Sequence, residues 1–455
     1  MKRISVVLAP AFVLALALSA LAQDPNQDLR KEVNELKDKV RVLEQEKDAQ
    51  KAAPAAPAKE AQLLSAEGEG AGLFNRLFAD AKVTGFVDTG FTYNLDRPAN
   101  GINGNTGDSS LSTTPPGLFP AGDGGSVRAF DQKSRSFYIH NAQLSLNRAP
   151  TKELKAGYNI DLSFGSDANV FGTLDSNLTD FFDVQEANVQ VLLFEDKLTI
   201  TAGKFATFAG MEVIESGSNN QYSRGLPFLF AIPFTHTGVR ASYAVVPDML
   251  TFCAGVNNGW DRAVDNNDAK TGEFMLCYTP TKWLSASGVV YYGAEKARNS
   301  GGFGTNNEVG DKRFLADFVV TVKDLPALPG WSFGVNFDIG SEENVVTSPT
   351  TGLPEDADWT GFGLYAKWKV NDWFSPSIRY TMLDDNDGYR TALGAGGVKE
   401  KTLSEVTITG EFAVAASTIF RIELRHDMCD EDFFLNGDKK DDTQTTVGAE
   451  LIISF

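Results

Sequence analysis

Beyond its first two dozen residues, this chain of 455 residues has no long apolar run. Nothing after Ala22 approaches the roughly 18 apolar residues that a membrane-spanning helix needs. Cysteine is scarce. Cys253, Cys277 and Cys429 are the whole set, which is too few and too irregular for a disulfide framework or a cysteine metal site. Histidine is equally scarce, with only His140, His236 and His426. No Gly-x-Ser-x-Gly elbow, Walker loop, His-Glu-x-x-His or Cys-x-x-Cys occurs, so the common hydrolase, nucleotide and zinc motifs are excluded. Basic residues are outnumbered, 41 against 60 acidic, for a net charge of −19. That balance argues against a nucleic-acid partner.

What is present begins with a secretory leader. Lys2 and Arg3 precede a short apolar core from Ile4 to Leu18, and Ala20-Leu21-Ala22 gives a small-x-small cleavage site before Gln23. No cysteine follows the cut, so a lipoprotein anchor is not expected. Cleavage after residue 22 leaves 39 basic residues against 60 acidic. An exported chain without an apolar helix either is soluble or crosses a membrane as strands, because lipid tolerates no unpaired backbone.

Residues 23–50 read as a periplasmic coiled-coil helix. Within 26–47, Leu29, Val33, Leu36, Val40 and Leu43 recur at 4-3-4-3 spacing among charged residues. A solvated single helix fits the same three heptads. The Val/Leu choice favours two strands, whereas barrels are often trimers, so a homo-oligomer of two or three chains is expected. Residues 51–81 are an Ala/Pro/Gly linker. From residue 82 to 455 the chain reads as strands.

The C-terminal run 447–455, VGAELIISF, alternates. Val447, Ala449, Leu451, Ile453 and Phe455 oppose Gly448, Glu450 and Ser454, with Ile452 the exception. Period two means one wet and one greasy face. The same pattern fills 154–164, 331–340 and 420–427. A soluble sandwich also alternates, but two features favour a membrane barrel. The connections are alternately long (about 95–133, 165–181, 206–236, 259–271, 295–311, 341–357, 385–401 and 428–441) and short, which gives sixteen strands. Aromatic residues also collect near strand ends: Tyr93, Trp260, Trp283, Tyr291, Tyr292, Trp331, Trp359, Trp368, Trp373 and Phe374. This suits headgroup girdles. Two residues break the parity. His140 falls on the apolar face, which a bulge near His140-Asn141 would repair. Leu403 has the wrong parity for its strand and no explanation in the sequence.

The segments 201–215 (TAGKFATFAGMEVIE), 220–224 (NQYSR) and 232–239 (IPFTHTGV) resemble the OmpL-like β-barrel porins of Gram-negative outer membranes. The likeness runs from about Val83 to Phe455 and leaves out the coiled coil and linker. It implies a barrel pore and carries no catalytic or ligand residue across. A C-terminal strand ending in Phe455 likewise resembles the signal by which such barrels meet the assembly machinery. Leu451, Ile453 and Phe455 are its expected residues.

If the apolar face meets lipid, the other face lines a lumen. On the earlier strands that face carries Lys155, Asp161, Glu186, Arg240, Arg313 and Asp317. Later strands add Asp338, Lys367, Lys369, Arg379 and Glu411, and the last two add Arg421, Glu423, Arg425, Asp427 and Glu450. Eight of these sixteen are basic and eight acidic, a mixed wall suited to water and small polar solutes. A solvated sheet face would carry the same charges. The 206–235 segment is the candidate constriction. It is apolar for a surface loop (Met211, Val213, Ile214, Leu226, Phe228, Leu229 and Phe230), and folding inwards would bring Glu212, Glu215 and Arg224 into the pore. Packing on a neighbouring subunit would explain the same residues. His236 near Ser223 and Arg224 is a weak catalytic pair, and the acidic runs 261–268 and 384–388 are weak calcium loops. No cofactor is implied. The expected function is passive diffusion of small hydrophilic solutes or ions. The alternative is a structural or adhesive barrel that anchors external loops and the periplasmic helix.

Overall fold

Strands that are greasy on one side and polar on the other have two ways to satisfy their edges, and this chain takes the closed one. In the computed structural model the described residues are 80–104, 126–175, 181–296, 310–347, 351–391 and 401–455. The leader, the 26–47 heptads and nearly all of the 51–81 linker lie outside them. The strands are β1 (Lys82–Asn94), β2 (Ser136–Arg148), β3 (Ala156–Phe164), β4 (Phe182–Leu193), β5 (Leu198–Ala206), β6 (Thr235–Val246), β7 (Leu250–Asn257), β8 (Thr271–Thr281) and β9 (Leu284–Gly293). They continue with β10 (Arg313–Val322), β11 (Trp331–Thr347), β12 (Pro354–Trp368), β13 (Phe374–Asp385), β14 (Lys401–Ala415) and β15 (Thr418–Cys429). A small hairpin, β16 (Phe434–Asn436) with β17 (Lys439–Asp441), precedes the final strand β18 (Thr443–Ser454). Helix α1 (Ser166–Asp175) sits between β3 and β4.

Sequence neighbours pair antiparallel throughout, and β18 pairs with both β15 and β1. The wall is therefore a closed barrel of sixteen strands, β1–β15 and β18. Long and short connections fall at opposite rims, as the sequence predicts. The expected 341–357 loop is the main difference. There β11 continues to Thr347 and β12 starts at Pro354, because pairing resumes beyond a bulge between Glu342 and Val346.

Burial is inverted relative to a soluble sheet. On β15, Ile422 and Leu424 are 48% and 47% exposed, whereas Arg421 and Arg425 are 0% and 1% exposed. The same holds for outward Val83, Phe137, Ile160, Val189, Phe252, Phe274 and Ile408. An apolar band of this extent needs hydrocarbon around it.

The two parity breaks have causes. The β1–β2 register shifts between Asp88 and Thr89, and His140 is the extra residue. Leu403 pairs with Leu383 and Cys429 and is buried in an apolar cluster inside the barrel. The girdle expectation is corrected at three positions. Trp260, Tyr291 and Trp359 are buried within the lumen. Tyr291 and Trp359 sit on inward register rows, paired with Leu315 and Gly340. Trp331 and Trp368 do stack outside at the short-turn rim, at 5.5 Å, and Trp373, Phe374 and Phe412 cluster nearby.

The chain's last residue helps close the β1–β18 seam. Phe455 and Gly85 exchange two backbone bonds, of 2.9 and 3.0 Å. A Cβ at Gly85 would come within 2.5 Å of the Phe455 ring and 2.4 Å of the Gln143 carbonyl. Glycine is needed there because the ring lies across it.

Candidate functional site: the lumen and its crossing loop

Inward-facing charges on β13–β18 are buried and matched pair by pair. Arg379 Nε meets Glu405 at 2.7 Å. Arg421 bridges Glu411 and Glu450 at 2.9 and 2.8 Å, and Lys367 meets Glu411 at 2.6 Å. Arg425 holds Asp427 at 2.6 Å, and Asp427 also takes Arg128 of the first long loop at 2.9 Å. Arg128 in turn pairs with Asp131. Burial by itself raises the Asp131 carboxyl, but Arg128 holds it below the ordinary carboxylate range. Elsewhere Arg240 pairs with Glu273 at 2.8 Å and Arg313 donates to Glu342 at 2.7 Å. Pairing offsets much of the cost of burying these charges.

The 207–234 connection does not lie on the rim. It enters the lumen beside β9, where the Tyr291 hydroxyl accepts from Phe208 N at 3.1 Å. Gly210 N then donates to Asp317 at 3.0 Å and Met211 N to Asn336 at 3.1 Å. Glu212 receives Arg379 Nη1 at 2.7 Å. Glu215 accepts from Gln185 of β4 at 2.6 Å on the far wall. The chain returns to β15, where Glu423 accepts from Tyr222 N and Ser223 N at 2.7 and 3.1 Å. Arg421 donates to the Ser216 and Asn219 carbonyls, and Arg425 to that of Arg224. The Tyr222 hydroxyl reaches Thr92 and His140 at 3.0 and 2.9 Å. Burial raises the Tyr222 phenol well above its ordinary value and pushes the Glu215 carboxyl up. Beyond it, Leu226 to Phe234 pack with Phe130, Phe171, Trp260, Trp359, Leu383 and Leu403 in an apolar core towards the long-loop rim. Trp359 Nε1 donates to the Ala231 carbonyl at 3.1 Å.

Of the residues expected on the lumen wall, fourteen lie on wall strands, and eleven of these have the partners already given. Asp338 stands opposite Asp317, and Asn336 Nδ2 donates to the two carboxylates at 3.3 and 2.8 Å. Asp161 and Glu186 join Asn159, whose Nδ2 donates to them at 2.6 and 3.2 Å. Two fall off the wall. Lys155 and Lys369 stand just beyond β3 and β12 in exposed short-turn positions, paired with Asp196 and Asp372. Their strands end one residue before the inward row would reach them. Glu212, Glu215 and Arg224 differ in role. The two carboxylates reach opposite walls, but Arg224 folds back on its own loop, donating to Ile214 O at 2.8 Å and Ser216 Oγ at 3.1 Å, under the rings of Phe130 and Phe228. Glu405 and Glu273 had the inward parity and could have been found. Arg128 comes from an aperiodic loop and left no signal. His236 Nδ1 donates to the Gly259 carbonyl, whereas Ser223 faces β13 and β15, so they share no partner among the bonds described.

Towards the short-turn rim the inner wall is different. Ser145, Asn147, Asn159, Gln190, Thr199, Thr201 and Ser242 are half-buried there and the wall is rich in hydroxyls and amides. Between β2 and β6 this leaves a polar vestibule below a charged midsection that the loop crosses.

The Arg379 node makes a prediction. Arg379→Met leaves Glu212 and Glu405 buried without their cation, at a cost of about 3–5 kcal/mol. Proteolysis of the folded variant is expected to cut within 207–234 under conditions that leave the wild type intact. Equal resistance would mean that the loop does not depend on this ion pair.

In comparisons with known proteins, residues 80–455 match the family described as "Putative beta-barrel porin-2, OmpL-like". Similar solved structures include the outer-membrane channel DcaP of Acinetobacter baumannii (13% identity, TM-score 0.52, covering 83% of this chain and 97% of that one). An anion-selective porin from Comamonas acidovorans is similar at 11% identity and TM-score 0.52, covering 83% and 99%. OprB of Pseudomonas putida at high pH is similar at 11% identity and TM-score 0.53, covering 85% and 97%. At these identities the likeness concerns the fold alone. No curated protein matches the sequence.

Proposed function

Because this chain belongs to the OmpL-like family of β-barrel porins, we propose that it passes small hydrophilic solutes or ions across the outer membrane by passive diffusion, through a lumen narrowed by residues 206–235. The observation that carries this reading is the inverted burial of the wall: apolar side chains outside, charged and hydroxyl side chains inside. The same observation supports an outer-membrane location, with the long connections external and both ends of the barrel domain periplasmic. The crossing loop makes the passage narrow, so its conductance is small for a sixteen-stranded wall. Transport of this kind needs no chemistry at a side chain, and the barrel serves as a channel rather than an enzyme.

The leader of residues 1–22, the helix of residues 23–50 and the linker of residues 51–81 complete the proposed organisation. The 26–47 heptads would join two or three chains in the periplasm. Membrane lipid and the barrel-assembly machinery are the other proposed partners.

Sealing of the mid-lumen charges favours a second reading. Arg379, Arg421 and Glu405 are 0% exposed, which suits a plugged barrel that anchors its loops. Purified protein in planar bilayers separates the two. Steady, small open-channel steps are the result expected of the pore. A barrel that inserts and stays silent at all applied voltages supports the anchor.

A further inference from the structure

On β7 and β8 the inner wall changes from oxygen to sulfur. Cys253 stands directly opposite Met275, and Cys277 lies two residues along β8, opposite Thr251. All three point inwards, since their neighbours Phe252, Phe274, Leu276 and Tyr278 are the exposed, outward residues. The Cys253 thiol is buried and donates to Ser242 Oγ at 2.9 Å. Cys277 is half-buried, with its sulfur 3.9 Å from both Thr279 Oγ1 and Ser285 Oγ, on the side of the polar vestibule. Two of the chain's three cysteines thus share one patch of wall with a methionine between them, and both are free thiols.

The register explains why a disulfide is disfavoured. Diagonal positions on paired strands lie about 7 Å apart, whereas a disulfide needs β-carbons within about 3.5–4.5 Å. Hydrogen bonding along β7 and β8 prevents the strands from supplying the difference. A metal ion fits where the bond does not. Two metal–sulfur bonds of about 2.3 Å each hold their sulfurs about 4 Å apart, which is reached when both thiols swing towards each other from Ser242 on β6 and Ser285 on β9. Met275 adjoins both cysteines in the register. Hard cations find no free carboxylate here, because Glu273 is bound through both oxygens to Arg240 at 2.8 and 3.1 Å. None of the crossing loop's hydrogen bonds described above ends on β7 or β8, although Met275 packs against the apolar core that the loop forms, so the approach to the site is from the Cys277 side.

We propose that Cys253, Met275 and Cys277 form a lumenal site for one soft monovalent cation, Cu(I) or Ag(I). Thioether and thiolate ligands select such ions over zinc-like or calcium-like ones. Each thiolate formed on binding releases one proton to solvent. No oxidant or reductant is needed when silver is the ion. The site depends only on the orientation of the wall, so it stands or falls independently of conduction.

The test uses full-length folded protein in detergent, in a Cys429→Ser background that leaves these two thiols alone. Silver is titrated in competition with free methionine and followed by sulfur-to-metal absorption and intact mass. One Ag(I) per chain is expected, together with protection of Cys277 from a maleimide. Met275→Leu is expected to weaken binding about tenfold, a loss of about 1.4 kcal/mol, and Cys277→Ser by more. Heat-dependent electrophoretic migration verifies that each variant is a closed barrel. Unchanged affinity in Met275→Leu, two independent silver ions per chain, or a Cys253–Cys277 disulfide in the protein as isolated would each overturn the site.

Discussion

Deleting residues 216–224 should increase single-channel conductance by about twofold or more while leaving the barrel assembled. This stretch is the part of the crossing loop that returns to β15, where it caps Arg421, Glu423 and Arg425 with its own backbone. Removing it uncovers those charges without orphaning them. Arg421 keeps Glu411 and Glu450, and Arg425 keeps Asp427. Glu423 retains the Thr409 hydroxyl at 2.9 Å. The wall therefore remains balanced, and water occupies the space that the loop vacates. Current through the deleted protein, measured at several salt concentrations in planar bilayers, checks the result. An unchanged conductance would show that the rate-limiting narrowing lies elsewhere, with the apolar core around Leu226 to Phe234 the next place to cut.

Removal of Phe455 is expected to lower the amount of assembled barrel by more than an order of magnitude while export through the inner membrane continues. The deletion takes away two backbone bonds to Gly85 at the seam. At about 1 kcal/mol net for each, their loss favours the open sheet by more than tenfold. The exposed ring, which would meet the lipid boundary with Leu451 and Ile453, is lost with them. Phe455→Leu separates the two contributions, since it keeps the backbone bonds and changes only the side chain. Quantifying the folded, detergent-extracted form against total periplasmic protein provides the measurement. Wild-type levels in the deletant would remove Phe455 from any role in assembly.

Much of the wall was legible in the sequence because period two is imposed residue by residue. Each outward position must be apolar for lipid and each inward one tolerates charge, so Arg421, Glu423 and Arg425 declare their side without knowledge of any partner. Register also follows from this pattern, and the bulge at His140 was visible as a break in it. The contents of the lumen were less legible. The apolar character of 206–235 showed that the loop needs cover, but not which wall provides it. Arg224 looked like a pore charge and is instead tied to its own loop. Leu403 looked misplaced until Leu383, Cys429 and the phenylalanines of the crossing loop gathered around it. Trp260 and Trp359 misled because a tryptophan near a strand end serves a headgroup or an interior core equally well. These features depend on contacts of a folded loop or between segments far apart in the chain, such as Trp359 with Ala231, and no local period encodes such contacts.

Glu215 reaching Gln185 and Tyr222 reaching Glu423 make the loop a strut across the cylinder. An empty tube of sixteen strands can ovalise or flatten, since hydrogen bonds between neighbours resist shear along the wall better than bending of it. With Glu212 on Arg379 of β13 as a third anchor, the loop spans well-separated parts of the ring and holds the cross-section round. It also links the fourth strand to the fifteenth, so one segment holds together parts of the wall that lie far apart in the sequence.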